Sequence, residues 1–202
     1  MRRKKYAVPE DKANDTKELL IDSALYLFAE KGFSSVTVKE IGERAGFNSA
    51  MIYYYFKDKD GIFHECLVNL IDRISSKYAT NIAGHTSSAD IINSWLDTHR
   101  MMSDDIINLL KLMLDYSRSE VKNPLIDAQI KRFYSIEHSL VASAIPADPK
   151  GAAFAISRDD LAYFVSTHLD GIITRSILEK DYSIVEALGR LLTVFSKLTD
   201  LR

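Results

Sequence analysis

Between Thr37 and Lys59 the chain reads TVKEIGERAGFNSAMIYYYFKDK, two short amphipathic stretches parted by a glycine. Thr37 followed three residues later by Glu40 has the spacing of a capping box, in which a hydroxyl and a carboxylate each accept the other's backbone amide. Val38, Ile41 and Ala45 recur at helical spacing and give the first stretch one apolar side. Gly46 takes a positive φ at little cost, so a sharp turn fits there, and Asn48 suits the cap of a second helix. That helix, Ser49 to Tyr55, has Ile52 and the following Phe56 as its inward residues. Ser49, Ala50, Met51 and Tyr54 face away from the core.

A longer constellation surrounds this helix-turn-helix. Ala24, Leu27, Phe28, Gly32, Phe33, Thr37, Val38, Ile41, Ala45, Gly46, Tyr53, Phe56, Lys59 and Ile62 stand in an order and spacing that resembles the DNA-binding domain of the TetR family of transcriptional regulators. The resemblance runs from about Asp15 to Phe63; the rest of the chain is similar to the family only in length and helical character. It implies an all-α fold of about nine helices, with a basic arm over residues 1–14, a three-helix helix-turn-helix DNA-binding domain over 15–60, and a larger helical ligand-binding and dimerisation domain over 61–202.

The resemblance also implies which residues meet a double-stranded DNA operator. The helix from Ser49 to Tyr55 would lie in the major groove, braced by the helix that begins at Thr37. Tyr53 and Lys59 match family positions that contact phosphates, and Lys59 stands near a helix N-terminus whose free amides attract anions. Tyr55 matches a position that reaches the backbone, although Tyr53 and Tyr55 also suit a bridge between the first and fourth helices. Lys39 is placed to donate to a guanine edge or a phosphate. Ser49, Ala50, Met51 and Tyr54 form the base-reading face. The family has glycine near position 50 and a small hydroxyl residue at 51, so Ala50 and Met51 depart from its pattern. Either they touch thymine methyls in an A·T-containing half-site, or Met51 packs inward.

Charge sets limits on this expectation. The net charge of −2 argues against indiscriminate coating of nucleic acid. Binding then depends on a few well-placed cations and should weaken steeply with salt. Arg2, Arg3, Lys4 and Lys5 form the one dense basic cluster, either an arm for a minor groove or a solubilising tail. No signal-peptide run follows it, and no segment approaches the ~20 apolar residues of a membrane span, so a cytoplasmic location without membrane attachment is expected. Cys66 is the sole cysteine, which excludes an internal disulfide, and its apolar neighbours suggest a small buried residue. The five histidines are scattered without ligand spacing, so neither a metal nor a cofactor is expected. Phosphate-loop, dinucleotide and nucleophile-elbow glycine patterns are missing, and His64-Glu65 is followed at position 68 by valine rather than histidine. An enzyme is not expected.

Elsewhere the pattern is helical. A first helix from about Lys12 to Lys31 buries Leu20, Ala24, Leu27 and Phe28 and ends at Gly32. Asp58 caps a fourth, Lys59 to about Thr80, in which Gly61 is an oddity costing about 1 kcal/mol relative to alanine. Further helices are expected over Asp90–Met102, Asp104–Arg118, Pro124–Ala144, Asp159–Lys180 and Ile184–Leu201. Ser103, Asn123, Ser157 and Ser183 stand at cap positions, and Pro146 to Gly151 reads as a loop.

The last two helices carry apolar stripes that include Leu169 and Ile172 on one and Leu188, Leu191 and Phe195 on the other. By resemblance these pair with a second copy in a homodimer; the alternative spends both stripes inside one subunit. Trp95, His99, Met102, Met113, Tyr116, Phe133, Tyr134, Phe154, Phe164 and His168 lie on helices able to surround an apolar site for a small-molecule effector, or form ordinary core. The expected function is a repressor released from its operator when the effector changes the dimer's geometry. A hundredfold loss of affinity needs only about 2.7 kcal/mol of coupling. A transcriptional activator of the same fold, or a helical protein-interaction module, are the alternatives.

Overall fold

The computed structural model describes residues 10–85, 87–120, 122–145 and 156–199. The Arg2–Lys5 cluster, the Pro146–Gly151 stretch and Phe154 lie outside them. Regular structure in the described residues is entirely helical: α1 (Glu10–Lys31), α2 (Val38–Ala45), α3 (Ser49–Phe56), α4 (Lys59–Ile82), α5 (Ser88–Met101), α6 (Ser103–Ser117), α7 (Pro124–Ala144), α8 (Arg158–Leu178) and α9 (Ile184–Thr199).

Short polar side chains fix where most of these helices begin. At α2 the Glu40 amide donates to the Thr37 hydroxyl at 3.2 Å, and the Thr37 amide donates to the Glu40 carboxylate at 2.8 Å. Those contacts, with Lys31 beside it, hold the Glu40 carboxyl down to about 2. Gly46 ends α2 at φ 77°, and Asn48 accepts the Ala50 amide to open α3. Asp58, Ser87, Asn123 and Ser157 cap α4, α5, α7 and α8, and the Ser183 hydroxyl accepts the Glu186 amide at α9. Ser103 is different from the expectation. The chain passes from α5 to α6 through Met102 alone, whose amide bonds back to the Thr98 carbonyl while its own carbonyl accepts the Ile106 amide. Main-chain bonds thus carry the junction, and Ser103 is a first-turn residue of a helix with no side-chain cap.

Helices α1, α3, α5, α6 and α7 pack on α4, while α8 lies against α6 and α7 and α9 against α5 and α8. The α4 residues Ile62, Phe63, Cys66, Leu67, Leu70, Ile71, Ile74 and Tyr78 are all buried, which is the helical-period stripe of an element packed along its whole length. At its amino end Phe63 meets Phe28 and Phe33 with ring centroids 5.2 and 4.7 Å apart, and Tyr116 of α6 at 6.0 Å. Cys66 is fully buried here, and burial pushes its thiol pKa up.

Gly61, an oddity by propensity, has a steric cause. A Cβ at this position would stand 1.9 Å from the Phe56 carbonyl oxygen, main-chain atoms that cannot move aside cheaply. Gly61→Ala should therefore lose about 2 kcal/mol of stability instead of gaining the ~1 kcal/mol that alanine gives in an open helix, as read in urea denaturation.

Leu169, Ile172, Leu188, Leu191 and Phe195 are all buried within the single chain. Their stripes are spent inside the subunit. The faces left outward on α8 and α9 carry Phe164, Leu178, Val185 and Val194, with Gly171 and Gly189 open between them. No helix among the described residues is long and apolar enough to cross a membrane.

Candidate nucleic-acid interface and effector cavity

Helix α3 is anchored by Ile52 and Phe56, which are buried. On the opposite side of the helix Ala50, Tyr53 and Tyr54 are exposed at spacings of three and one, and Lys57, just past the helix end, is exposed as well. Tyr54 is 74% exposed and Tyr53 56%, an unusual outlay of aromatic surface for an eight-residue helix. Ser49 is partly buried, and Met51 packs against the core from the flank. Tyr55 also leans inward: its ring meets Tyr54 edge-on at 4.9 Å, and its hydroxyl is buried with no hydrogen-bond partner among the described residues. Thr37 and Lys39 lie at the start of α2, with Lys39 highly exposed and 3.7 Å from Glu43, which is exposed as well.

Lys59 is held within the protein. Its ammonium donates to the carbonyls of Phe33 at 2.9 Å and Val36 at 3.1 Å and sits over the Phe33 ring. Two of its three protons are therefore committed to the turn between α1 and α2. Lys57 presents the opposite situation, and sequence reasoning passed over it. It is the only described non-glycine residue with positive φ (74°), and the Asp58 amide closes the turn onto the Phe56 carbonyl at 2.9 Å. Such three-residue turns are rare and strained, and this one projects the lysine from the end of α3. A chain without its φ values offers no hint of this, because nothing but the neighbouring Asp58 cap marks the site.

The turn between α1 and α2 is gripped from a second side. Asp115 of α6 accepts the Phe33 amide, and its carboxylate lies against Gly32. The helix-turn-helix is thus joined to α6 by a charge-assisted bond and to α4 by Lys59.

The expected effector residues divide into three groups. Trp95, His99 and Phe133 come together around a cavity of about 20 Å³ whose wall also includes Tyr78, Ile136 and Glu137. Met113 and Tyr116 line a wider opening of about 280 Å³ near Tyr134, while Met102 packs against the core. Phe164 and His168 are exposed on α8, stacked on each other with centroids 6.1 Å apart. Outward orientation of their part of α8 keeps both from the cavity.

Trp95 also walls a second cavity of about 30 Å³, enclosed by apolar side chains from α5, α7, α8 and α9. In the first, the Tyr78 hydroxyl bonds His99 Nδ1, and burial lowers the His99 pKa to about 4, so the ring is neutral. Glu137, which sequence reasoning also missed, has one carboxylate oxygen buried without a hydrogen-bond partner among the described residues. Burial, with the nearby Asp170 charge, raises its pKa to about 8; burial raises Asp170 to about 6. A glutamate on an otherwise helical stripe gives no sign in sequence that it faces inward.

Residues 20–66 match the family model described as "Bacterial regulatory proteins, tetR family". The chain is 32% identical over 97 residues to a probable HTH-type transcriptional regulator, YttP, of Bacillus subtilis, covering 44% of this chain and 47% of that protein. It is 32% identical over 79 residues to the HTH-type transcriptional repressor KstR2 of Rhodococcus jostii, covering 39% of each. The chain thus spans less than half the length of these two curated relatives. Its whole fold is similar to that of a putative transcriptional regulator from Saccharomonospora viridis, solved in complex with choline, with a TM-score of 0.73, 16% identity and coverage of 91% of this chain and 96% of that one. By its helix-turn-helix residues and its matched segment, the amino-terminal part of the chain, residues 20–66, is a domain of the kind described for the tetR family of bacterial regulatory proteins, and the architecture of the whole chain is the all-helical fold of the Saccharomonospora viridis protein.

Proposed function

We propose that the protein is a cytoplasmic, homodimeric transcriptional repressor that leaves its operator when a small molecule occupies the helical half. The observation that carries this is the exposed face of Ala50, Tyr53 and Tyr54, with exposed Lys57 just past its end, on a helix seated in a family-matched helix-turn-helix. An eight-residue helix presenting two solvated tyrosines and a lysine fits a major groove flanked by phosphates. Residues 15–60 then form the DNA-binding domain and 61–202 the effector and dimerisation domain. The repressor name of one relative and the choline bound to a structural neighbour support the two halves of the reading.

The dimer would form through the outward faces of α8 and α9, where Phe164, Leu178, Val185 and Val194 are exposed and Gly171 and Gly189 permit close approach. A twofold pair places two α3 helices about 34–36 Å apart, one turn of DNA. Movement of α6 on effector binding would reach the α1–α2 turn through Asp115 and alter that spacing.

The test is binding of the full chain to its own upstream DNA across a salt series, followed by fluorescence anisotropy. Affinity should fall steeply with salt. Lys57→Ala should reduce the slope by about 1, the mark of one lost phosphate contact, whereas Lys59→Ala should lower the melting temperature by freeing two carbonyls. Absence of any retained duplex at low salt, with the protein folded, would sink the reading.

A further inference from the structure

The two cavities on either side of Trp95 differ sharply in chemistry. One is lined by Ile92, Val141, Val165, Leu191 and Phe195 among other apolar groups. The other sets Glu137, a half-buried residue with one carboxylate oxygen wholly shielded from solvent, among Tyr78, Trp95 and Phe133. No cationic side chain among the described residues pairs with that carboxylate. The titratable groups facing it are Asp170 from α8, Tyr134 from its own helix, and His99 and Tyr78 from α5 and α4, none of which supplies a positive charge. A buried carboxylate is costly unless paired, and aromatic faces around it attract cations through their quadrupoles. Each cavity holds about one water molecule as it stands, so a larger occupant must displace their common wall, the Trp95 indole.

We infer that these two spaces join, by movement of Trp95, into one site for an amphiphilic organic cation, whose charged nitrogen pairs with Glu137 among the rings while its apolar body fills the compartment beneath Leu191 and Phe195. This rests on the effector reading given above and names the chemical class of the effector. The same feature separates it from neutral hydrophobic ligands. A neutral molecule fills the apolar compartment equally well but leaves Glu137 without a partner.

Trp95 is the chain's only tryptophan, so its emission reports the site directly. The full chain is titrated at pH 9, above the value of about 8 to which burial raises Glu137, with benzyltrimethylammonium and, separately, with neopentylbenzene, its uncharged carbon isostere. The cation should shift Trp95 emission saturably, with a Kd at least tenfold below that of the isostere. Glu137→Gln should raise the cation's Kd at least tenfold and leave the isostere's within twofold. Equal affinities for the two probes, an unaltered cation Kd in the variant, or no saturable change with the cation would each overturn the proposal. If the variant does not fold, the comparison of the two probes on the native chain still decides. Release of DNA is measured in parallel. Selective cation binding that leaves DNA affinity unchanged keeps the site and removes the effector reading; DNA release by the isostere alone does the reverse.

Discussion

Phe63→Ala is expected to cost about 4 kcal/mol of folding stability, the scale of emptying a large core site. Phe63 is fully buried and touches Phe28 of α1, Phe33 of the α1–α2 turn and Tyr116 of α6. Two of those neighbours are themselves fixed, Phe33 by Asp115 and Lys59 and Tyr116 by its bond to the Asp127 carboxylate at 3.1 Å. The surroundings therefore relax little into the vacancy. Urea denaturation of the variant should show a lower midpoint, and a loss under about 1.5 kcal/mol would mean that the four rings do not form one packed unit.

Glu137→Gln should act in the opposite direction and only in one pH range. The folded pKa of Glu137, about 8, lies above its ordinary value of 4.5, so the folded state holds the proton more tightly. Its contribution to stability is fully present below pH 4.5 and is lost as pH rises through 8. The variant removes a charge that burial opposes, and about 2 kcal/mol should be gained at pH 8. That is less than full linkage implies at about 1.4 kcal/mol for each pH unit between the ordinary and folded values, because glutamine also buries a polar head. At pH 4.5 the difference should vanish. His99 runs the other way, its contribution being present above 6.5 and lost as pH falls through about 4, but it is common to both proteins and cancels in the comparison. Thermal melts at the two pH values provide the check; an equal gain at both would show that the carboxylate does not titrate in this range.

Local spacing made most helix boundaries legible. Thr37, Asn48, Asp58, Asn123, Ser157 and Ser183 declare helix starts because a capping hydroxyl, carboxamide or carboxylate oxygen acts within three residues of itself. Periodicity likewise marked Leu169, Ile172, Leu188, Leu191 and Phe195 as residues to be covered. It does not encode what covers them, and here the cover is the same chain. Gly61 was misread for a related reason, since propensity scales describe an open helix and cannot register the Phe56 carbonyl beside it. The exposed side of α3 was visible in the positions of Ala50 and Tyr54. Lys57 was not, because its projection comes from a strained main-chain turn and not from helical phase. Phe164, expected at the effector site, is left in solvent, whereas Glu137, which sequence reasoning did not single out, has one carboxylate oxygen buried; each outcome is decided by long-range packing of α7 and α8.

The unbroken stripe along α4 has a further consequence for how the molecule comes apart. Ile62 and Phe63 at one end and Ile74 and Tyr78 at the other belong to a single rod, so melting either half strips cover from a helix the other half needs. Heating should give one calorimetric peak whose van't Hoff and measured enthalpies agree, and amide exchange along the rod's middle turns should be the slowest in the chain.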